Sequence, residues 1–134
     1  MKYLLDTNIC VYLLNGNIVL KNKIAQVGLS SIVVSNATLS ELYFGAYNST
    51  KVAENLQRIA LFKKNLGILS DSEESAMLFG RIKTDLKLKG CMIEDFDILI
   101  ASIAIANRCI IVTNNDKHFS RIEGLSLENW LVIS

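Results

Sequence analysis

Four short apolar runs punctuate this chain, at 2–5 (KYLL), 32–34 (IVV), 67–69 (GIL) and 110–112 (IIV). Between them lie longer segments in which apolar residues recur at three- and four-residue spacing. The spacing predicts helices over 8–14, 17–26, 38–47, 51–65, 72–89 and 96–107. Strands this short and this apolar read as parallel and covered on both faces, so the expected class is α/β. The stretch ILIASIAIA at 98–106 is apolar all round, which predicts a helix nearly engulfed between the sheet and other helices. The tail LSLENWLVIS is expected to add a short strand or edge segment, with Trp130 packed against the body.

Composition narrows this picture. A chain of 134 residues, 51% hydrophobic and 20% charged, suits one folded domain spanning 1–134. That apolar share is rich for a small monomer and hints that a partner covers some apolar surface. Asp6 interrupts the N-terminal apolar run before a signal-peptide core can form, and Ser102 breaks a stretch already far short of the ~20 residues a membrane span needs. The expectation is a soluble, cytoplasmic protein without a membrane partner. Cys10, Cys91 and Cys109 share no CxxC spacing and read as reduced core thiols, with no disulfide or zinc site. A net charge of +1 excludes nothing; the distribution of charge must decide.

In parallel α/β sheets ligands bind where strands leave the sheet at their carboxyl ends. The first strand leaves at Asp6-Thr7-Asn8, the second through Ser35 to Thr38-Leu-Ser-Glu41, and the fourth at Thr113-Asn114-Asn115-Asp116. Each acid has a structural reading. Asp6 can cap the helix over 8–14, and Thr38-Leu-Ser-Glu41 matches a capping box. Asp97 lies in Glu94-Asp95-Phe96-Asp97, a first helical turn that favours anions; Asp95 is the expected cap and Glu94 is expected in solvent. Three acids in four positions nonetheless repel one another unless a cation or a basic partner is present. A simple crossover brings the helix over 96–107 to the same edge as Asp6 and Glu41, although the helix over 72–89 leaves its parity open. Converging carboxylates without matching lysines are best neutralised by a hard divalent ion, Mg²⁺ or Mn²⁺, acting on phosphate esters. Other chemistries lack their motifs. His118 is the sole histidine and no G-x-S-x-G elbow, P-loop, G-x-G-x-x-G or HExxH is present, while a receiver-domain reading has no lysine that can be placed in its site.

YLLDTN at 3–8, SNATLSELYFGA at 35–46, FDILIASIA at 96–104, VTNNDKHFSRIEGL at 112–125 and LENW at 127–130 together resemble the PIN-domain ribonuclease toxins of the VapC type. The resemblance spans nearly the whole chain. It implies a PIN-like, Rossmann-like three-layer sandwich with a central parallel sheet of four or five strands flanked by helices. It also implies a Mg²⁺ or Mn²⁺ site and endonucleolytic cleavage of RNA, most often tRNA, by metal-activated water, with inhibition of translation. The implied partners are a cognate VapB-type antitoxin, a second copy of the chain, and DNA bound through the antitoxin assembly.

Carried over residue by residue, the family's acids fall on Asp6, Glu41 and Asp97, the metal ligands. The fourth position falls on Asn115 when counted from Thr113 and on Asp116 when counted back from Phe119, with Thr7, Asn8 and Thr113 in support. Candidate phosphate contacts are Lys51, Arg58, Lys83, Lys87, Lys117 and Arg121, most of which read more readily as a solvated helix face. With four acids facing metal, 14 basic residues stand against nine, leaving the rest of the surface at about +5. Tyr43, Phe44 and Tyr47 flank Glu41, and Tyr43 or Tyr47 could stack a base. The competing reading is an RNA-binding or regulatory module without nuclease activity, whose acids serve as caps.

Overall fold

The computed structural model describes residues 1–131. Five strands, β1 (Tyr3–Leu5), β2 (Ile32–Ser35), β3 (Gly67–Leu69), β4 (Ile110–Val112) and β5 (Leu127–Glu128), form one sheet of order β3-β2-β1-β4-β5. Every pairing in it is parallel. The tail thus contributes β5, beside β4, while positions 132–134 of that expected element lie outside the described residues. The helices are α1 (Thr7–Leu14), α2 (Ile18–Val27), α3 (Asn36–Tyr47), α4 (Val52–Lys63), α5 (Glu73–Leu88), α6 (Asp95–Ala106) and α7 (Asp116–Phe119), with a 3₁₀ turn at Leu29–Ser31.

Strand residues alternate between two cores, as the two-residue period of a strand requires. Leu4, Val33 and Ile111 point into one core with Ile82 and Leu86 of α5 and Ile98, Ile100 and Ile103 of α6. Leu5, Ile32, Val34 and Val112 point the other way, onto Ile9, Leu20, Leu42 and Ile59 of α1 to α4. The result is three layers, with α6 buried along most of its length. Its one polar core residue, Ser102, donates its hydroxyl to the Ile98 carbonyl at 2.7 Å, so the buried oxygen is satisfied within the helix. On the sheet edge Gly67 pairs with Val33, where an added Cβ would come within 3.0 Å of Val33 Cγ1. Trp130 is buried in the α1 to α4 core, its ring 5.2 Å from that of Tyr3.

Two capping expectations are corrected. Helix α3 begins two residues earlier than the hydrophobic pattern predicts, because Ser35, the last residue of β2, accepts the Thr38 N–H at 3.1 Å and caps the helix. The Thr38-to-Glu41 box therefore does not form. At α6 the cap position is Glu94, with no side-chain cap bond, and Asp95 instead pairs with Lys83 at 3.0 Å. The four-residue α7 is too short for periodicity to reveal.

Candidate active site

Strand β1 has β2 on one side and β4 on the other, so the chain leaves it in one direction and later returns to its opposite flank. That reversal opens a crevice at the carboxyl ends of the strands. Asp6 stands there, the first residue beyond β1, its N–H donating to the Val112 carbonyl at 3.1 Å. It is 4% exposed and caps α1 by accepting the Ile9 N–H at 2.9 Å. Burial pushes its carboxyl up from the ordinary 3.8 to about 6; hydrogen bonds from the Thr113 hydroxyl and the Ile9 amide hold it back, and the charges of Asp97 and Glu41 raise it further.

A cavity of about 260 Å³ is lined by Asp6, Thr7, Asn8, Glu41, Glu94, Phe96, Asp97, Asn115 and Phe119. Four acids from three parts of the chain face it, and among the described residues no lysine or arginine lines its walls. Glu41 projects from the second turn of α3, and its Oε1 accepts the Thr7 hydroxyl at 2.5 Å. Thr7 Oγ1 is also 3.2 Å from Thr38 Oγ1, which ties the start of α1 to that of α3. Asp97, in the first turn of α6, is half-buried; desolvation and then the Glu41 charge raise its carboxyl above the usual range, against a lowering by His118. This helix feeds β4 directly, which brings its amino end to the crevice whatever α5 does.

Of the two residues open for the fourth position, Asn115 lines the cavity. Asp116 is exposed at the start of α7, away from the cavity walls, and its Oδ1 is 3.5 Å from Asn129 Nδ2. Thr113 is fully buried below them; it bonds the Asp6 side chain and accepts the Asn115 N–H at 2.9 Å. Asn8 is exposed on the rim. Glu94, expected in solvent, is exposed but also lines the rim, a placement its sequence neighbours do not reveal.

The basic candidates stay outside the cavity. Lys83 is engaged with Asp95, Lys51 stands 3.9 Å from Glu54, and Arg58 donates to the Leu14 carbonyl. Arg58 lines a neighbouring groove, with Val11, Leu14 and Ile59, that reaches Thr7 and Glu41. Tyr43 packs into the core and accepts from Lys63 Nζ at 3.0 Å, whereas Phe44 and Tyr47 are exposed.

The donor set is all oxygen, which suits a hard divalent ion. Among the described residues no three His, Cys, Asp or Glu side chains are gathered tightly enough to enclose a metal as they stand. Asp6, Glu41 and Asp97 therefore fit such an ion as walls of one cavity rather than as a closed cage.

A profile of the PIN domain matches residues 3–125, nearly the whole chain. This protein belongs to the PIN-domain family. Its VapC-type membership is carried by full-length relatives. The PIN domain is 41% identical to Ribonuclease VapC2 of Rickettsia felis, over 97% of this chain and 98% of the relative. It is 35% identical to the tRNA(fMet)-specific endonuclease VapC of Shigella flexneri, again over 97% and 98%. Among solved structures it is similar to VapBC2 from Rickettsia felis bound to a DNA fragment from its promoter, with a TM-score of 0.92, 38% identity and coverage of 97% of this chain and 99% of the other. The three-layer architecture with its parallel sheet is that of the PIN fold. Among the described residues no helix is long and apolar enough to cross a membrane.

Proposed function

We propose that this PIN domain is a divalent-metal-dependent endoribonuclease toxin, restrained by a VapB-type antitoxin, that cleaves RNA of the tRNA class and so inhibits translation. The observation that carries the reading is the crevice itself, where buried Asp6, whose carboxyl stands at about 6, shares a cavity with Glu41 and Asp97 and no basic side chain lines the walls. The names of the relatives, ribonuclease and tRNA(fMet)-specific endonuclease, support the substrate class. The likeness to an antitoxin complex on promoter DNA supports the partner. The reading includes a single domain, a cytoplasmic setting and a homodimer, whose contact is favoured by exposed apolar side chains such as Phe44 and Met77.

Asp6, Glu41 and Asp97 would hold Mg²⁺ or Mn²⁺. A divalent ion held there would supply positive charge opposite the phosphate oxygens and would acidify water. The chain's own residues do the rest. Ile9 N–H and Thr113 fix the Asp6 carboxylate, and Thr7 fixes that of Glu41. Asn115 presents a neutral carboxamide at the same wall, able to orient a water or a ribose hydroxyl without adding charge.

The alternative, acids as caps only, accounts for Asp6, which does cap α1. It does not account for Glu41 or Asp97, since Ser35 caps α3 and α6 has no side-chain cap bond. The deciding experiment expresses wild type, Asp6→Asn and Asp97→Asn and sequences newly formed RNA ends, with purified protein assayed with Mn²⁺ and with a chelator. Divalent-dependent ends from wild type alone are expected. Equal cleavage and toxicity from all three proteins would sink the nuclease reading.

A further inference from the structure

His118 is the chain's one histidine, half-buried on α7 beside the carboxylate cavity, and none of the steps above employs it. Its Nδ1 lies 2.8 Å from Asn115 Nδ2. In this arrangement the amide nitrogen donates, and the neutral imidazole offers the Nδ1 lone pair with its proton on Nε2. The Asn115 backbone is pinned independently: its N–H donates to Thr113 Oγ1 at 2.9 Å, and its carbonyl accepts the His118 and Phe119 N–H groups at 3.1 and 3.2 Å. Phe119 is buried, which anchors that turn in the core.

With its backbone held, the Asn115 carboxamide keeps one consequential freedom, a half-turn that exchanges oxygen for nitrogen. The two ends have opposite hydrogen-bonding sense, so the flip would put a donor where an acceptor had been, in a cavity walled by Asp6, Glu41 and Asp97. An NH₂ there would bond to the carboxylates and occupy lone pairs that a metal or water needs. An amide oxygen turned toward Nδ1 would require the imidazole to carry its proton there instead, so the amide orientation and the His118 tautomer are set together.

We propose that His118 is a positioning residue for RNA cleavage: by accepting from Asn115 Nδ2 it leaves Asn115 Oδ1 as the acceptor at the cavity wall, where it orients the attacking water. The proposal rests on the nuclease reading. It distinguishes His118 from a packing residue because the role runs through one hydrogen bond to one partner.

The test compares Mn²⁺-supported cleavage of one RNA by wild type, Asp6→Asn, His118→Leu, His118→Asn, Asn115→Ala and the His118→Leu/Asn115→Ala double variant, with thermal unfolding as a check on folding. His118→Asn places a carbonyl oxygen close to where Nδ1 stood and keeps the acceptor. Expected is a kcat about tenfold lower for His118→Leu, with KM within about twofold. Most of that loss is recovered in His118→Asn, and the double variant is no slower than Asn115→Ala alone. Imidazole ¹⁵N NMR at pH 8 should show the proton on Nε2 in wild type and a loss of that preference in Asn115→Ala. Additive losses in the double variant, no recovery in His118→Asn, or a proton on Nδ1 in wild type would each overturn the proposal. Failure of the nuclease reading is separately visible, as wild type that cuts no better than Asp6→Asn, and takes the catalytic role of His118 with it.

Discussion

Replacing Asp6 by asparagine should stabilise the metal-free protein at pH 8 while abolishing cleavage. Asparagine keeps the side-chain oxygen that accepts the Ile9 N–H and nearly the same volume, so the substitution changes charge with little change in packing. The Asp6 carboxyl stands at about 6 against an ordinary 3.8, mainly because burial withholds water from the anion. At 1.36 kcal/mol per pH unit the difference is about 3 kcal/mol. The folded chain holds this proton more tightly than the unfolded chain does. The contribution to stability is therefore complete below about pH 4 and is lost as pH rises through 6, so that by pH 8 the folded state bears the full penalty. The asparagine side chain of the Asp6→Asn variant does not titrate and escapes it, which makes that protein up to about 3 kcal/mol more stable at pH 8, or about 10 °C in Tm for a chain of this size. Near pH 4 the two proteins should converge. Mn²⁺ should raise the Tm of wild type at pH 8 and leave the variant little changed. Thermal unfolding followed by circular dichroism from pH 4 to 8, with chelator and with Mn²⁺, reads all of this. A Tm difference that does not vary with pH, or a variant less stable than wild type at pH 8 in chelator, would refute the claim that the site holds an anion against its own solvation.

Thr7→Val removes the hydroxyl that donates to Glu41 at nearly constant volume; cleavage should fall about tenfold or more with little change in Tm, and unchanged kinetics would show that Glu41 needs no such hold. Ser35→Ala removes the real cap of α3 and should cost about 1 kcal/mol in urea unfolding, and an unchanged midpoint would refute that assignment. Lys83→Ala should change stability by less than about 1 kcal/mol, because its partner Asp95 is largely exposed. The same variant should cleave RNA near the wild-type rate; a large rise in KM would show that Lys83 contacts phosphate.

Periodicity alone located strands β1 to β4 and six helices to within a few residues, because each carries either a continuous apolar run or a helical stripe over several turns. The two-core arrangement was legible for the same reason: strands apolar at nearly every position, such as IVVS at β2, have no face to spare for water. Local hydrogen-bond competition was not legible. Ser35 and Thr38 are both good caps three residues apart, and the winner is decided by where β2 ends, which depends on pairing with Tyr3 and Leu4 of β1 and with β3. The divided count at Asn115 and Asp116 has a similar origin. Adjacent residues on a short turn point in different directions, and the cavity receives Asn115 because Thr113 and α7 pin that turn from both ends.

The allocation of charge across the molecule runs opposite to what stability alone would favour. Three solvent-facing acids have lysines: Asp95 has Lys83 at 3.0 Å, Asp85 has Lys89 at 3.0 Å, and Glu54 has Lys51 at 3.9 Å. Pairs in such positions are worth little, since water already solvates both ions. The acids with the greatest electrostatic need, Asp6 and Asp97, whose carboxyls burial pushes upward, are left without such a partner among the described residues. What the crevice does provide is neutral donors: the Ile9 amide and Thr113 hydroxyl at Asp6, and the Thr7 hydroxyl at Glu41. Neutral hydrogen bonds orient a carboxylate and partly stabilise it but leave its charge in place. A lysine set among these acids would relieve their repulsion and at the same time cancel the field that draws a divalent cation. The cavity therefore retains negative charge at neutral pH, a penalty on the folded state that a divalent cation bound there would reduce.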